Sequence, residues 1–304
     1  MIVKIFQGPG NQMFQYAYAL AAAKRIGAEL KLDLSWYDEN STHRSYILDR
    51  FNISAAVATK EEVEYIKSKN APNFLSYRWN ILRDSVAPKH KKAIVFEDLS
   101  KADLELLHPY KNSYVEGYFT SELFFKDFEK EVRKELRFQP LISQRVQEIV
   151  DSIDSNTVAI SIRRGDFIGN QLHNICSKEY FYRAIEKIQK TIGNLTLLIF
   201  SDELEWVIDN MKFDVPHRIV PKLEDPMDYM RLMSHCSNHI IPNSTFSWWG
   251  AWLSEPKVVI APNFWLAQDV KVHENAFGHW VETKHTVPEN WLRIPVQLDG
   301  ELLM

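Results

Sequence analysis

Five short, almost uninterrupted apolar runs dominate the second half of the chain: TVAISI (157–162), LTLLIF (195–200), HRIV (217–220), HII (239–241) and KVVIA (257–261). Runs of this length without polar alternation are strands covered on both faces, as strands of a parallel sheet are. Helical patterns lie between them, clearest over 178–190, where Phe181, Ala184, Ile185 and Ile188 make one stripe. Strands alternating with helices predict an α/β fold with a parallel sheet and helices on both faces. The first half is less regular. IVKIF, AELKLDL (28–34) and SYVEGYF (113–119) read as strands and KEEVEYIKSK (60–69) as a surface helix, whereas 38–58 and 71–91 have no clean period. With 304 residues the chain can hold two domains. The helix in PLISQRVQEIVDSI (140–153) reads as their linker, so domains at 1–150 and 151–304 are expected.

Polar residues in the second half are concentrated where strands end. The strand at 157–162 runs into RRGDF (163–167), the strand at 195–200 into SDELEW (201–206), and the strand at 239–241 into PNSTFSWWGAWL (242–253). All three clusters therefore sit at the carboxyl edge of one parallel sheet, the edge where open α/β sheets bind ligands. Arg163 and Arg164 carry permanent charge and forked donors suited to phosphate. Adjacent side chains on extended backbone point opposite ways, so one arginine faces the ligand and the other pairs with a carboxylate, Asp166 being nearest. Asn243, Ser244 and Thr245 are candidate N-caps of a helix whose free N–H groups would meet an anion. Trp248, Trp249 and Trp252 lie further along it and are read as core. Asp202 and Glu203 can accept from a base edge or ribose, or simply favour a helix N-terminus.

The first strand leads into GPGNQMFQYAYALAAAKRIG (8–27). Gly8, Pro9 and Gly10 make a tight turn. A helix follows, with Met13, Tyr16, Ala17 and Leu20 on one face, Lys24 and Arg25 in its last turn and Gly27 as its stop. Such a turn can be purely mechanical, or it can bring backbone N–H groups to an anion. It is not the dinucleotide pattern, because Met13 stands where a third glycine belongs, and this counts against a nicotinamide-dependent oxidoreductase.

Bulk properties remove other classes. A composition of 45% hydrophobic and 25% charged residues is that of a globular protein rather than a disordered one. Net charge of −4 gives no basic field to recruit nucleic acid, so an anionic ligand must be held locally. Cys176 and Cys236 fit neither a metal spacing nor a disulfide framework. With no leader pattern and no 18-residue apolar segment, a soluble cytoplasmic protein without stable membrane insertion is expected. There is no P-loop and no D-x-D triplet to bridge a metal and a pyrophosphate. Arginines and a helix dipole suit a nucleotide diphosphate without metal, so neither metal nor cofactor is expected.

Three stretches together resemble the α-1,2-fucosyltransferases of glycosyltransferase family 11: GPGNQMFQYAYA (8–19), SIRRGDF (161–167) and IIPNSTFSWWGAWL (240–253). They are similar to the family patterns G-G-L-G-N-Q-[ML]-F-Q-Y-A, H-x-R-R-G-D-[YF] and N-S-[ST]-[FY]-S-W-W, and they follow the family's order. VEGYFTSELFF (115–125) and DPMDYMRLMSHCSNHI (225–240) are similar to further family segments. The resemblance implies a GT-B fold of two Rossmann-like domains with the active site in the cleft between them, the C-terminal one binding GDP-β-L-fucose. It implies inverting, metal-independent transfer of L-fucose to the 2-hydroxyl of a terminal galactoside. The acceptor would be a galactose-terminated oligosaccharide or lipid-linked glycan, met by the N-terminal domain or at the inner face of a membrane.

Carried over position by position, Arg163 binds the β-phosphate with Arg164 and Asp166 in support. Asn243, Ser244, Thr245 and Phe246 line the pyrophosphate, and Asp202 and Glu203 the nucleoside. Gly10, Asn11 and Gln12 lie on the acceptor side with Glu116 and Tyr118. Asp166, His173 and Glu116 are the candidate general bases, and Asn11 is a further catalytic candidate. Two departures stand out: Ser161 occupies the position of the family His, which helps hold guanine, and Gln7 and Pro9 replace the first family Gly and the Leu. The first leaves another donor such as GDP-colitose, or another linkage, as an alternative; a silent nucleotide- or glycan-binding protein on the same scaffold is a second.

Overall fold

The computed structural model of the protein describes residues 1–39, 44–68, 82, 86–88, 91–97, 104–140, 143–170, 172–267, 285–298 and 301–303. The unpatterned segment 71–91 lies largely outside the described residues, and 38–58 partly so. The chain divides into two compact units, Met1–Gln139 and Pro140–Met304.

The first unit carries β1 (Ile2–Lys4), α1 (Pro9–Ile26), β2 (Lys31–Asp33), α2 (Ser35–Glu39), β3 (Ala56–Val57), α3 (Lys60–Lys67), β4 (Ile94–Phe96), β5 (Tyr114–Glu116) and α4 (Glu129–Glu135). Its strands form a parallel sheet in the order β3-β2-β1-β5-β4, with Val3 of β1 opposite Leu32 on one side and Val115 on the other. The expected single stripe on α1 is too narrow: 13 of its 18 residues are buried, Tyr18, Ala19 and Ala22 among them. Turns at 48–50, 104–107 and 122–124 pack around it, and its alanines admit their close approach. The helix stops where expected, at Gly27, whose φ of 59° is left-handed. The α3 helix opens on a capping box in which Thr59 Oγ1 accepts from the Glu62 N–H and Glu62 Oε2 from the Thr59 N–H.

The second unit carries α5 (Gln144–Asp151), β6 (Thr157–Ile162), α6 (Lys178–Ile192), β7 (Thr196–Ser201), α7 (Leu204–Asn210), β8 (His217–Ile219), α8 (Pro226–Ser234), β9 (Asn238–Ile240), α9 (Thr245–Leu253), β10 (Val258–Pro262), β11 (Leu292–Ile294) and the antiparallel pair β12 (Val296–Leu298) and β13 (Glu301–Leu303). Its main sheet is parallel, in the order β11-β10-β9-β6-β7-β8. The strand period of two sorts the side chains. Val158, Ile160, Ile162, Leu197 and Ile199 pack with Phe181, Ala184 and Ile188 of α6, while Ala159, Leu198 and Phe200 pack with Leu232 and Met233 of α8. Val146 of α5 belongs to this second core. The helix read as a linker is therefore part of the second unit, which puts the division ahead of residue 150, between Gln139 and Pro140. Among the described residues no helix is long and apolar enough to cross a membrane.

His239, in the central strand β9, is buried with Nε2 placed 2.8 Å from the Cys236 carbonyl. Burial lowers its pKa to about 4, from an ordinary 6.5. The unfolded chain therefore takes up this proton first, and stability is lost as pH falls from 6.5 towards 4. Thermal midpoints measured over that range are expected to fall, and His239→Gln is expected to flatten part of the decline.

Candidate active site

Both sheets have a topological switch point, where consecutive connections leave in opposite directions. In the second unit it lies between β6, followed by its neighbour β7, and β9, reached after the chain has passed through β8. In open α/β sheets the crevice outside the strand ends at this point binds ligands. The RRGDF cluster follows β6 and the NSTFSWW cluster follows β9, so the two motifs flank it.

Five of the expected charged residues meet there. Arg163 bonds Asp166 Oδ1 through Nη2 at 2.7 Å and Nε at 3.2 Å, and its Nη1 lies 2.9 Å from Asp202 Oδ2. Arg164 donates from Nε to Glu203 Oε2 at 3.0 Å, and its backbone N–H to Asp202 Oδ1 at 2.9 Å. The expected division of labour changes in detail. Asp166 pairs with Arg163 itself, and Asp202 and Glu203, assigned to the nucleoside, hold the two guanidinium groups. The Asp202 carboxylate lies where a side chain at residue 165 would be, which is why Gly165 stands there. The Arg163 side chain remains 37% exposed at the sheet edge.

Aromatic rings complete the setting. The Arg164 guanidinium lies 3.2 Å from the centroid of the Trp206 ring, and Arg163 is 5.7 Å from that of Phe167. Phe167 in turn stacks on His173 with centroids 5.1 Å apart. Burial lowers the pKa of His173, which Asp166 partly opposes. Its Nδ1 is buried without a hydrogen bond among the described residues. Arg164 and Trp206 line a cavity of ≈ 290 Å³ with Ile162, Phe181 and Met211.

At the other side of the switch point, α9 begins at Ser244 without a side-chain cap. Ser244, Thr245 and Phe246 are partly exposed around its first N–H groups, an arrangement that favours an anion. The Ser161 and Ser247 hydroxyls meet at 2.7 Å and tie the end of β6 to this first turn. Ser161 is thus a strut between the two motifs. Asn243 is likewise internal: its Nδ2 donates to the His173 and Trp265 carbonyls at 3.0 and 2.9 Å. It shapes the loop before α9 and presents no free amide to a ligand.

The first unit repeats the arrangement around β1 and β5. The turn after β1 differs from the sequence reading, because α1 starts at Pro9 with Gly8 extended (φ −79°) and Gly10 inside the helix; the left-handed residue is Gln7 (φ 69°). Gln12 is fully buried. Its Nε2 donates to the Gln7 and Ser45 carbonyls, and its Oε1 accepts from the Ile47 N–H. One turn on, Gln15 Oε1 accepts from the Phe6 N–H. The carboxamides of NQMFQ at these two positions therefore clamp the strand-to-helix turn, which corrects the acceptor-side assignment of Gln12. Asn11 remains partly exposed at the helix start and Gly10 is buried beside it. Glu116 pairs with Lys4 at 3.2 Å, and Tyr118 packs edge-on against Phe6, centroids 5.1 Å apart. Asp33 ends β2, where a dinucleotide-binding fold would offer an acid to a ribose, but it is buried and accepts from the Tyr114 hydroxyl at 2.7 Å.

Several of these contributors were not singled out from sequence. Trp206 and Phe167 each lie within a motif already marked, three residues after Glu203 and one after Asp166. Gln15, three residues after Gln12, carries the helical spacing that could have revealed a shared role. Arg44, which donates from Nη1 to Gln7 Oε1 at 2.8 Å in the turn after β1, comes from the unpatterned segment and had no local signal.

The chain is 31% identical to an α-1,2-colitosyltransferase of Escherichia coli, with 97% of this chain and 98% of that protein aligned. It is 30% identical to the O-antigen biosynthesis glycosyltransferase WbnK of Escherichia coli, over 87% and 94% of the two chains. Among solved structures, the fucosyltransferase NodZ from Bradyrhizobium superposes with a TM-score of 0.53 at 15% identity, covering 86% of this chain and 94% of that one. At that identity the likeness shows the fold, GT-B with two Rossmann-like units. The family model described as Glycosyl transferase family 11 matches residues 3–284, and with the motifs in place at both switch points the chain belongs to glycosyltransferase family 11.

Proposed function

We propose that this glycosyltransferase moves L-fucose from GDP-β-L-fucose to the 2-hydroxyl of a terminal galactoside, with inversion at the anomeric carbon. The observation that carries the reading is the pairing at one switch point of the Arg163 guanidinium, held by Asp166 and Asp202, with the uncapped start of α9. In a single displacement the acceptor hydroxyl gives its proton to a general base and its oxygen attacks the anomeric carbon as the bond from that carbon to the β-phosphate oxygen breaks. Negative charge then grows on the departing diphosphate, and preorganised donors aimed at that charge lower the barrier. Arg163 supplies a forked cation, and the N–H groups at 245–247 supply the helix N-terminus. Asp166, Asp202 and Glu203 hold the arginines in place. A nucleotide-sugar donor is also supported by NodZ, of which a crystal soaked with GDP-fucose superposes with a TM-score of 0.51.

The colitosyltransferase relative favours a second reading, in which the sugar moved is the 3-deoxy analogue of fucose. GDP release from GDP-fucose and from GDP-colitose, with lactose or N-acetyllactosamine as acceptor, decides between them. Turnover of GDP-fucose is expected to exceed that of GDP-colitose and to persist in EDTA, giving an α-1,2 product. Loss of turnover in EDTA overturns the metal-independent mechanism. GDP-fucose binding without transfer to either acceptor removes the galactoside assignment.

A further inference from the structure

Gln7 is one of three non-glycine residues with positive φ among the described residues, with Phe119 and Glu255. At φ 69° it occupies the left-handed region, which costs a residue with a β-carbon, and it stands where the family pattern has glycine. Its backbone carbonyl is turned to accept from Gln12 Nε2 at 3.0 Å and from the Tyr37 hydroxyl at 3.2 Å. Its side chain is held as well: Oε1 accepts from Arg44 Nη1 at 2.8 Å. The same guanidinium lies against Gly8, where an added β-carbon would stand 3.2 Å from Nη1. Burial pushes the Tyr37 and Tyr118 hydroxyls up and the Arg44 charge opposes this at both, so the guanidinium sits among the residues that follow β1, β2 and β5.

We propose that Arg44 is a positioning residue that clamps Gln7 in its left-handed conformation and so fixes the Gly8–Asn11 turn at the switch point of the first sheet. A family glycine at residue 7 would take this backbone without help, whereas Gln7 needs a partner for its side chain. Arg44 and Gln7 are thus one device, and each is expected to matter only with the other. The consequence for catalysis rests on the reading that the first unit carries the acceptor.

The test is a double-mutant cycle with two readouts, acceptor KM and backbone hydrogen exchange over residues 6–12. Arg44→Ala is expected to raise the acceptor KM about tenfold and to speed exchange, with GDP-fucose affinity in calorimetry unchanged within about twofold. Arg44→Lys, which can still donate to Oε1, is expected to recover most of both. In a Gln7→Gly background, adding Arg44→Ala is expected to change neither. Equal effects in the two backgrounds, or unchanged exchange in Arg44→Ala, overturn the clamp. Should the wild type transfer to no galactoside, the acceptor reading fails, and the exchange arm decides the clamp by itself.

Discussion

Arg163→Ala lowers the rate of GDP release from GDP-fucose in the presence of acceptor by about 10²–10³-fold, the expected loss for a donor aimed at developing negative charge. The size follows from geometry. Asp166 and Asp202 grip the guanidinium from two sides, so it is oriented before substrate arrives and pays little reorganisation on reaction. Alanine leaves both carboxylates facing the diphosphate without their cation, which adds repulsion to the lost attraction. Arg163→Lys is expected to fall between the two, because an ammonium restores charge but cannot span both carboxylates while presenting a fork. Single-turnover measurements with donor saturating separate the chemical step from binding. A decrease below about tenfold, with the product unchanged, would remove Arg163 from the reaction.

The largest expected effect on stability comes from Trp248→Ala, at about 3–5 kcal/mol, which lowers the unfolding midpoint by roughly 10 °C. Trp248 is fully buried in α9, packed against Trp249, Trp252 and Trp291 with ring centroids 5.0–6.1 Å apart. Its Nε1 donates to the Thr286 carbonyl at 2.7 Å. Truncation leaves a cavity too large for the flanking rings to fill and a buried carbonyl without its donor. Trp248→Phe separates the two, since it keeps most of the packing and is expected to cost about 1–3 kcal/mol for the lost hydrogen bond. Calorimetric unfolding of the three proteins checks this. An alanine variant within about 1 kcal/mol of wild type would show that α9 is not anchored by this ring. Because Trp248 lies one turn after Ser244, loosening it is also expected to weaken GDP-fucose binding.

Strands β6, β7, β9 and β10 of the second unit were legible because burial on both faces leaves no alternative to runs such as TVAISI and LTLLIF, and polar clusters after β6, β7 and β9 mark the carboxyl edge. The HRIV strand is instead an edge strand with His217 and Arg218 exposed, and β11–β13 carry no such run. Membership of the family was legible for a similar reason, since its motifs are local strings in a set order. What local strings do not contain is the partner of each side chain. RRGDF and SDELEW lie about forty residues apart, and only the parallel pairing of β6 with β7 sets Asp202 and Glu203 against the two arginines. The carboxamides of NQMFQ read equally well as ligand contacts, until the closure of α1 over its own strand buries Gln12 and Gln15 against backbone. Arg44 had no pattern around it at all, and its contact with Gln7 crosses 37 residues. The amino-acid sequence by itself determined the parallel α/β class, the family and the edge where the polar motifs gather, because hydrophobic period and strand ends are local properties. Tertiary structure alone decided which polar groups stay exposed at that edge and which are consumed in holding others, because a hydrogen bond forms only between groups that the fold brings together.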